Sequence, residues 1–329
     1  MKALIIGDRN RYEKFYPATA FADAAEKVYV QMATPVESYP VEALDADFLA
    51  ADAVAKVPAE LIERMPNLKI IHSEGVGYNG IDVAAAAERG IFVCNNQGIN
   101  ATAVAEQTVL LMLGLLRTVL AGHEAVMRGE QIRRKEALML QGITELGDCR
   151  VGLLGFGDIA KETAQVLHAF GAEVFYHATR RKSAELEAQY HARWMELDEM
   201  KKTCRIISVH VPVTPDTTGM IDEPFLRGMQ PDAYLINTAR GEIVDNDALV
   251  RALNEGWIAG AGLDTIAPEP VSVDHPLLHL SGEAQGRLLL SPHMGGITTS
   301  TFRRGHRNIW AAFEAVSRGE RPAHIVNGI

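Results

Sequence analysis

Short apolar runs of strand length alternate with segments of helical periodicity along the whole chain. In the first third, strands are predicted at Lys2–Ile6 and at residues 28–30 and 69–72, with a helical pattern over residues 16–27. Further along the alternation is strict, and six runs have continuously apolar centres: Arg150–Leu154, Glu173–His177 and residues 205–211, 233–238, 259–264 and 287–291. Strands buried on both faces belong to parallel sheets covered by helices. The pattern therefore predicts an α/β fold with a doubly wound parallel sheet.

A long apolar segment lies between these two regions. Residues 102–127 are apolar nearly all round a helix, which predicts one long helix buried between two domains. The length of 329 residues also exceeds that of a typical single domain. We therefore expect two domains.

Composition and charge narrow the class of partner. Hydrophobic residues make up 47% of the chain and charged residues 22%, proportions typical of a globular enzyme. The formal net charge of -10 argues against nucleic acid or an anionic membrane as a partner and favours small molecules. The basic run Arg133-Arg134-Lys135 is interpreted as solvated or dimer-facing rather than as a second anion site.

Cysteine usage and the N-terminal run bear on the compartment. The three cysteines, Cys94, Cys149 and Cys204, are far apart, so neither a disulfide framework nor a metal site is expected. The apolar N-terminal run is too short for a signal peptide, and no run approaches the about 20 apolar residues of a membrane span. A cytoplasmic location is the expectation.

A glycine fingerprint, Gly155-Phe156-Gly157-Asp158-Ile159-Ala160, follows the predicted strand Arg150–Leu154 and opens a helical pattern over residues 159–170. In such a motif the first glycine permits a tight turn and the second lets a pyrophosphate approach the backbone. Alanine replaces the third glycine, where helix packs on strand. This context predicts dinucleotide binding at the N-terminus of the helix.

The segment after the next strand bears on which dinucleotide is bound. About 20 residues past the fingerprint, an Asp or Glu binds the free ribose 2′-hydroxyl of NAD. No acid stands at His177 or Ala178, and Thr179, Arg180 and Arg181 follow. A hydroxyl and guanidinium groups suit a 2′-phosphate, so NADP is favoured over NAD. The alternative is that the arginines stack on adenine or face solvent, as in NAD enzymes.

Three later strand ends carry polar side chains. Arg240 stands in Asn-Thr-Ala-Arg-Gly at 237–241, Glu269 in the segment 263–270, and His293 in Ser-Pro-His-Met-Gly-Gly at 291–296. The carboxyl ends of strands in an open α/β sheet form its ligand site, so these side chains are expected in one cleft. An imidazole exchanges a proton with a carbonyl or hydroxyl oxygen, a carboxylate orients the imidazole, and a guanidinium holds an α-keto acid.

These motifs together resemble the D-isomer-specific 2-hydroxyacid dehydrogenases along nearly the whole chain. Further shared motifs are Gly-Val-Gly-Tyr-Asn-Gly-Ile-Asp at 75–82, Ala-Val-Ala-Glu-Gln-Thr at 103–108 and Val-Pro-Val-Thr-Pro-Asp-Thr at 211–217. The resemblance implies two Rossmann-like domains, with the nucleotide-binding domain inserted into a discontinuous substrate domain. The expected boundaries are 1–100 and 299–329 for the substrate domain and 101–298 for the NAD(P)-binding domain. It also implies a homodimer formed through the nucleotide-binding domain.

The resemblance assigns roles to individual residues. It implies that Arg240 binds the substrate carboxylate and carbonyl, that His293 is the acid/base and that Glu269 pairs with it. The loop amides of Val76 and Gly77 are expected to bind the substrate carboxylate as well. The expected cofactor contacts are Thr108, Gly155, Phe156, Gly157, Asp158, Ile159, Thr179, Arg180, Val211, Pro212, Thr217, Thr238, Ala239 and Asp264.

The function that follows is reduction of a 2-oxo acid to the D-2-hydroxy acid, with hydride from NADPH, the favoured cofactor, or from NADH. Two alternatives stay open. A phosphite dehydrogenase of the same family keeps the same Arg, Glu and His, and a nicotinamide-sensing corepressor shares the fold without turnover. A formate dehydrogenase of this family would carry Gln at the position of Glu269, which argues against that activity.

Overall fold

A computed structural model describes all residues, 1–329, and divides them into two compact units. Unit 1 comprises Met1–Asn100 and Ile297–Ile329, and unit 2 comprises Ala101–Gly296. Unit 1 is thus built from both ends of the chain, and unit 2 is one continuous stretch.

Helices and strands follow one another along both units, mostly in alternation. The first part of unit 1 contains β1 (Lys2–Ile6), α1 (Arg9–Lys14), α2 (Ala20–Ala24), β2 (Glu26–Val30), α3 (Val41–Leu44), β3 (Phe48–Ala51), α4 (Ala59–Glu63), β4 (Ile70–Ser73), α5 (Val83–Glu88) and β5 (Phe92–Cys94). Unit 2 contains α6 (Ala101–Leu116), α7 (Val119–Met127), α8 (Gln131–Gln141), β6 (Arg150–Leu154), α9 (Asp158–Ala169), β7 (Glu173–His177), α10 (Ala184–Gln189), β8 (Ala192–Trp194), α11 (Leu197–Thr203), β9 (Ile206–Val209), α12 (Glu223–Gly228), β10 (Tyr234–Asn237), α13 (Asn246–Glu255), β11 (Gly260–Leu263) and β12 (Leu288–Leu290). The chain ends with α14 (Thr299–Ser317) in unit 1.

Unit 1 is a five-stranded parallel sheet in the order β2-β1-β3-β4-β5. Successive residues of β1 point to opposite faces, so Leu4 and Ile6 join one core cluster and Ala3 and Ile5 the other. The helix α14 covers the second face, where Phe313 stacks on Phe48 of β3 with ring centroids 5.0 Å apart. The chain reverses direction across the sheet between β1 and β3, which makes their carboxyl ends the switch point of this unit.

Unit 2 is a seven-stranded parallel sheet in the order β12-β11-β10-β9-β6-β7-β8. Strands β9 and β11 are buried along their whole length, as expected of strands covered on both faces. The strand order reverses between β6 and β9, so the ends of these two strands flank the switch point. The predicted α/β class with two doubly wound parallel sheets is confirmed.

Several predicted elements were wrong in extent. Of the helix predicted over residues 16–27 only the short α2 (Ala20–Ala24) is present, and β2 begins at Glu26; the helix α1 (Arg9–Lys14) was not predicted. The seventh strand of unit 2, β8, was not predicted, because three residues give too short an apolar run to stand out.

The long apolar segment 102–127 also differs from the prediction, because it is broken. Helices α6 and α7 meet at a bend of 57° around Thr118, whose φ is +47°. α6 packs against the sheet of unit 2, whereas Val119 and Met127 of α7 are exposed. No single helix has the length and hydropathy to cross a membrane, and only the bent pair α6 and α7 taken together meets those criteria.

A buried histidine in β4 is expected to make the stability of unit 1 depend on pH. His72 is 1% exposed, and its Nδ1 lies 2.8 Å from the Ser73 carbonyl oxygen. Burial lowers the pKa of His72 from 6.5 to about 4, with a smaller contribution from His324. Between these values the unfolded chain binds a proton that the folded chain does not, so stability is lost as the pH falls.

We therefore expect the free energy of unfolding of unit 1 to decrease between about pH 7 and pH 4, by on the order of 3 kcal/mol from His72 alone. Urea unfolding of the wild type and of His72→Gln across this range measures the effect. The variant should have the flatter profile, and an identical pH dependence in both proteins would contradict the prediction.

Candidate active site

The glycine fingerprint forms a tight turn at the switch point of unit 2. Gly155 follows β6 with φ +98°, and a Cβ there would lie 2.4 Å from the carbonyl oxygen of His210, just after β9. Only glycine fits this backbone conformation and this approach. Ala160 is fully buried where α9 packs on the sheet, as expected for the third position of the motif.

The turn and the N-terminus of α9 offer hydrogen-bond donors. The amides of Phe156 and Gly157 donate to no acceptor within the protein, while the Phe156 ring is buried against Tyr176 at a centroid distance of 4.2 Å. A Cβ on Gly157 would meet nothing within 4 Å, so packing within the protein does not require glycine at this position. Unpaired amides at a helix N-terminus and a bare backbone fit the pyrophosphate of a dinucleotide.

Asp158 and Ile159 begin α9. Asp158 pairs with Lys161 at 3.2 Å, and the Ile159 carbonyl accepts from Thr163 at 2.8 Å. Both residues therefore lie in the first turn of α9, directly after the glycine turn, as the motif requires.

Polar groups from α6 and β10 meet in the interior of unit 2. The hydroxyls of Thr108 and Thr238 lie 2.8 Å apart, and Thr108 also donates to the Val104 carbonyl at 2.7 Å. The Ala239 amide donates to Asn237 Oδ1 at 3.0 Å. Three predicted cofactor residues are therefore brought to the end of β10.

The predicted residues after β9 lie in one small loop. A Cβ on Gly155 would be 3.1 Å from Val211 Cγ1, so Val211 lies against the fingerprint. The Thr217 hydroxyl donates to the Pro212 carbonyl at 2.6 Å and accepts from the Thr214 amide at 2.8 Å. Thr217 thus closes the loop through its own hydroxyl.

The segment after β7 carries two arginines in different situations. Arg181 is held by Glu187 through two bonds of 2.9 Å. Arg180 is exposed and pairs with no carboxylate, and Thr179 beside it is also exposed. His177, at the end of β7, has its Nδ1 3.0 Å from the Met195 carbonyl oxygen. Of the two guanidinium groups, only that of Arg180 is free for a ligand.

His293 and Glu269 meet at the carboxyl edge of the sheet. His293 Nδ1 lies 2.9 Å and 2.8 Å from the two carboxylate oxygens of Glu269. Because a carboxylate accepts, Nδ1 carries the hydrogen and Nε2 is left for another partner. The imidazole is 40% exposed, so Nε2 can reach a ligand.

The backbone of His293 is held in an unusual conformation by Asp264. The φ of His293 is +53°, in the left-handed region. Its amide donates to the Asp264 carbonyl at 2.8 Å, and the amides of Met294 and Gly295 donate to the Asp264 carboxylate at 3.0 and 2.8 Å. Such strain persists where the surroundings determine it, so Asp264 fixes the position of the imidazole.

Two further side chains, neither of them predicted, hydrogen-bond to Asp264 directly or through one another. The Ser291 hydroxyl donates to Asp264 Oδ1 and accepts from Gln107 Nε2 at 2.9 Å. Both residues stand inside motifs quoted above, at 103–108 and 291–296. No local pattern indicates their pairing, because they are 184 positions apart.

Arg240 follows β10 and lies on the neighbouring loop. Its Nη1 donates to the Ala239 carbonyl at 2.7 Å, and it pairs with no carboxylate. The next residue, Gly241, packs directly on the chain leading to Glu269, since a Cβ there would be 2.2 Å from the Ala267 amide nitrogen. The loops of Arg240 and Glu269 are thus in contact, while the Arg240 guanidinium bonds to neither Glu269 nor His293.

The predicted substrate residues Val76 and Gly77 belong to a loop of unit 1. Its carbonyls are bound: that of Gly75 accepts from the Asn96 amide at 2.9 Å, that of Val76 from Asn95 Nδ2 at 2.8 Å, and that of Gly77 from Ser73 Oγ at 2.5 Å. The amides of Val76 and Gly77 donate to no acceptor within the protein. A loop with bound carbonyls and unpaired amides is suited to an anion.

Comparison with known proteins identifies the family. Residues 109–295 match the NAD binding domain of the D-isomer specific 2-hydroxyacid dehydrogenases. Glyoxylate reductase from Thermofilum pendens is 36% identical over 283 residues, 86% of this chain and 82% of that protein. Glyoxylate reductase from Thermococcus litoralis is 37% identical over 287 residues, 86% of this chain and 84% of that protein.

A solved structure supports the same assignment. The crystal structure of an NAD-complexed D-isomer specific 2-hydroxyacid dehydrogenase from Lactobacillus delbrueckii ssp. bulgaricus matches with a TM-score of 0.82 and 26% identity, covering 99% of this chain and 100% of that one. The resemblance drawn from the motifs is thereby confirmed. The chain belongs to the D-isomer specific 2-hydroxyacid dehydrogenase family, whose members are oxidoreductases that use a nicotinamide cofactor.

Proposed function

We propose that this protein reduces a 2-oxo acid to the D-2-hydroxy acid. The observation that carries the proposal is the hydrogen bond of His293 Nδ1 to Glu269, at 2.8 Å, at the sheet edge that also holds Arg240. The pair presents a protonated or neutral Nε2 as the acid or base. The relatives named glyoxylate reductase make glyoxylate the first substrate to test.

The mechanism assigns each step to residues of this chain. A nicotinamide cofactor, when bound, supplies the hydride to the carbonyl carbon. Arg240 binds the substrate carboxylate and polarises the carbonyl, and the amides of Val76 and Gly77 bind the same carboxylate. His293 gives its Nε2 proton to the carbonyl oxygen, and Glu269 orients the imidazole and stabilises its charged form.

The cofactor would be held at the end of the sheet of unit 2. The amides of Phe156, Gly157, Asp158 and Ile159 would bind the pyrophosphate, and Thr179 and Arg180 would bind the 2′-phosphate. Thr108, Val211, Pro212, Thr217, Thr238 and Ala239 would line the remainder of the cofactor site, and Asp264 would contact the nicotinamide carboxamide. The unpaired guanidinium of Arg180 supports NADP as the preferred cofactor over NAD.

The first experiment follows absorbance of NADPH or NADH on addition of glyoxylate, hydroxypyruvate, pyruvate, phenylpyruvate or 2-ketogluconate. Turnover of one of these acids to a D product supports the proposal. Cofactor binding without turnover of any oxo acid would contradict it and favour a sensor, and oxidation of phosphite would favour the other dehydrogenase activity.

The cofactor preference is tested by Arg180→Ala. A charge-assisted bond to the 2′-phosphate contributes about 1.5–3 kcal/mol, so kcat/KM with NADPH should fall about 10-fold or more and that with NADH by less than about 2-fold. Arg181→Ala is the matched control, since Glu187 already holds that guanidinium. Equal losses with both cofactors would contradict a role of Arg180 in phosphate recognition.

We also propose that the protein is a cytoplasmic homodimer formed through unit 2. Its three cysteines are buried free thiols, as suits a reducing compartment.

The helices α7 and α8 expose large apolar side chains, among them Met127, Met139 and Leu140. Exposed apolar patches of this kind mark protein interfaces. Sedimentation equilibrium of the wild type and of Leu140→Glu measures the association.

In α8 the basic run has identifiable partners. Arg133 pairs with Glu130 at 3.3 Å, and Arg134 Nη2 donates to the Thr118 hydroxyl at 3.0 Å. These contacts support the interpretation of the run as solvated or dimer-facing rather than as a second anion site.

A further inference from the structure

A partly buried ionic cluster lies at the switch point of unit 1, directly before the loop of Val76 and Gly77. Arg11 is in α1, which follows β1, and Asp52 and Glu74 come immediately after β3 and β4. Arg11 Nε and Nη2 donate to the two carboxylate oxygens of Glu74 at 3.1 and 2.6 Å, and Nη2 also donates to Asp52. The side chain of Glu74 is only 6% exposed.

His306 of α14 completes the cluster from the other end of the chain. Its Nε2 lies 2.7 Å from Glu74 Oε1, and the imidazole is 1% exposed. The preceding Gly305 lets the helix come close, because a Cβ there would be 3.1 Å from Asn96 Nδ2. Glu74 therefore accepts from Arg11 on both oxygens and from His306 on one.

The main chain of Glu74 is held as firmly as its side chain. Its amide donates to the Ala51 carbonyl at 2.7 Å, and its carbonyl accepts from Asn96 Nδ2 at 2.8 Å. The residue thus fixes the point at which the chain leaves β4 and enters the substrate loop. Two residues further on stands Val76, whose amide donor has no partner within the protein.

A buried carboxylate is costly to keep for stability alone, since an apolar side chain of similar size often stabilises as well. Removing only one member of such a cluster leaves uncompensated buried donors. The cluster is therefore suited to holding one backbone arrangement rather than to adding stability.

We propose that Glu74 is a positioning residue for the substrate carboxylate. Anchored by Arg11 and His306, it holds the loop so that the amides of Val76 and Gly77 point at the carboxylate of the 2-oxo acid. This inference rests on the proposed function, because it requires those amides to bind that carboxylate.

The test is Glu74→Gln, which keeps the size of the side chain and removes its charge. We measure kcat and KM for the oxo acid that the wild type reduces best, the inhibition constant of oxalate, and the Kd of NADPH. Loss of substrate binding alone raises KM and leaves kcat unchanged. We expect KM and the oxalate constant to rise about 10-fold, with kcat within about 3-fold and the NADPH Kd within about 2-fold.

Matched variants separate positioning from general stability. Glu13→Gln breaks the surface pair of Arg9 and Glu13 on the same helix, α1, and should leave every constant unchanged. His306→Ala should raise KM, whereas His306→Gln restores a donor to Glu74 and should return KM towards the wild-type value. A structural role without positioning would lower the thermal stability of Glu74→Gln without this rescue or the separation of KM from kcat.

Unchanged KM and oxalate binding in Glu74→Gln, or a loss confined to kcat, would overturn the inference alone. A wild type that reduces no oxo acid would overturn the proposed function and this inference with it. If Glu74→Gln fails to fold, KM is measured for Arg11→Lys instead. This variant keeps the positive charge but lacks the planar guanidinium that bonds to both carboxylate oxygens. An unchanged KM in that variant would overturn the inference.

Discussion

Replacing His293 by asparagine should lower turnover of the 2-oxo acid by about 10²-fold or more, because the proton for the carbonyl oxygen loses its donor. Asparagine suits the test because it tolerates the left-handed backbone at φ +53°, so the loop held by Asp264 should stay in place. The measurement is steady-state turnover with saturating cofactor, together with the Kd of NADPH, which should stay unchanged.

His279→Ala is the control for this variant, since His279 is an exposed histidine of the same unit whose Nε2 contacts only the Val273 carbonyl. The turnover of the His279→Ala variant should equal that of the wild type. If the His293 variant also turned over at the wild-type rate, the acid/base assignment would be wrong.

Replacing Arg240 by alanine should lower kcat/KM for the oxo acid by about 10²–10³-fold, chiefly through KM. The guanidinium pairs with no carboxylate of the protein, so its charge is available to the substrate. Its loss removes charge-assisted bonds of about 1.5–3 kcal/mol each. Steady-state kinetics over a wide range of substrate concentration measures the loss.

Arg240→Lys should recover only part of this activity, because an ammonium cannot bind a carboxylate through two parallel bonds. Arg251→Ala serves as the control, since that exposed arginine is paired with Glu223 at 2.9 Å away from the predicted site residues. Full activity of Arg240→Lys would indicate that only charge is required, and unchanged kinetics of Arg240→Ala would contradict substrate binding by this residue.

The features that could be predicted from the sequence are those set by residues close together in the chain. Gly155 could be assigned from its motif because its φ of +98° disfavours other residues and a Cβ there would lie only 2.4 Å from the His210 carbonyl oxygen. Six of the seven strands of unit 2 could be assigned because burial in a covered parallel sheet makes each a mainly apolar run, whereas β8 has only three residues. His293 and Glu269 follow strand ends that a parallel sheet brings to one edge.

The features that could not be predicted depend mainly on hydrogen bonds between residues far apart in the sequence. Glu74 and His306 are 232 positions apart, and Gln107 and Ser291 are 184 apart. No periodicity relates such pairs. The break at Thr118 is similarly hidden, because the apolar character of the chain continues across it while exposure changes from α6 to α7.

The position of α14 has a consequence for biosynthesis. One face of the sheet of unit 1, including Ile5 and Phe48, is covered by Ile309 and Phe313 of that helix, which are synthesised only after the whole of unit 2. Unit 2 is continuous in sequence and can fold during translation. The sheet of unit 1 keeps one apolar face uncovered until α14 has been synthesised. The inserted unit is therefore expected to mature before the one that encloses it in sequence, and the nascent N-terminal sheet is the part of the chain that most needs a chaperone.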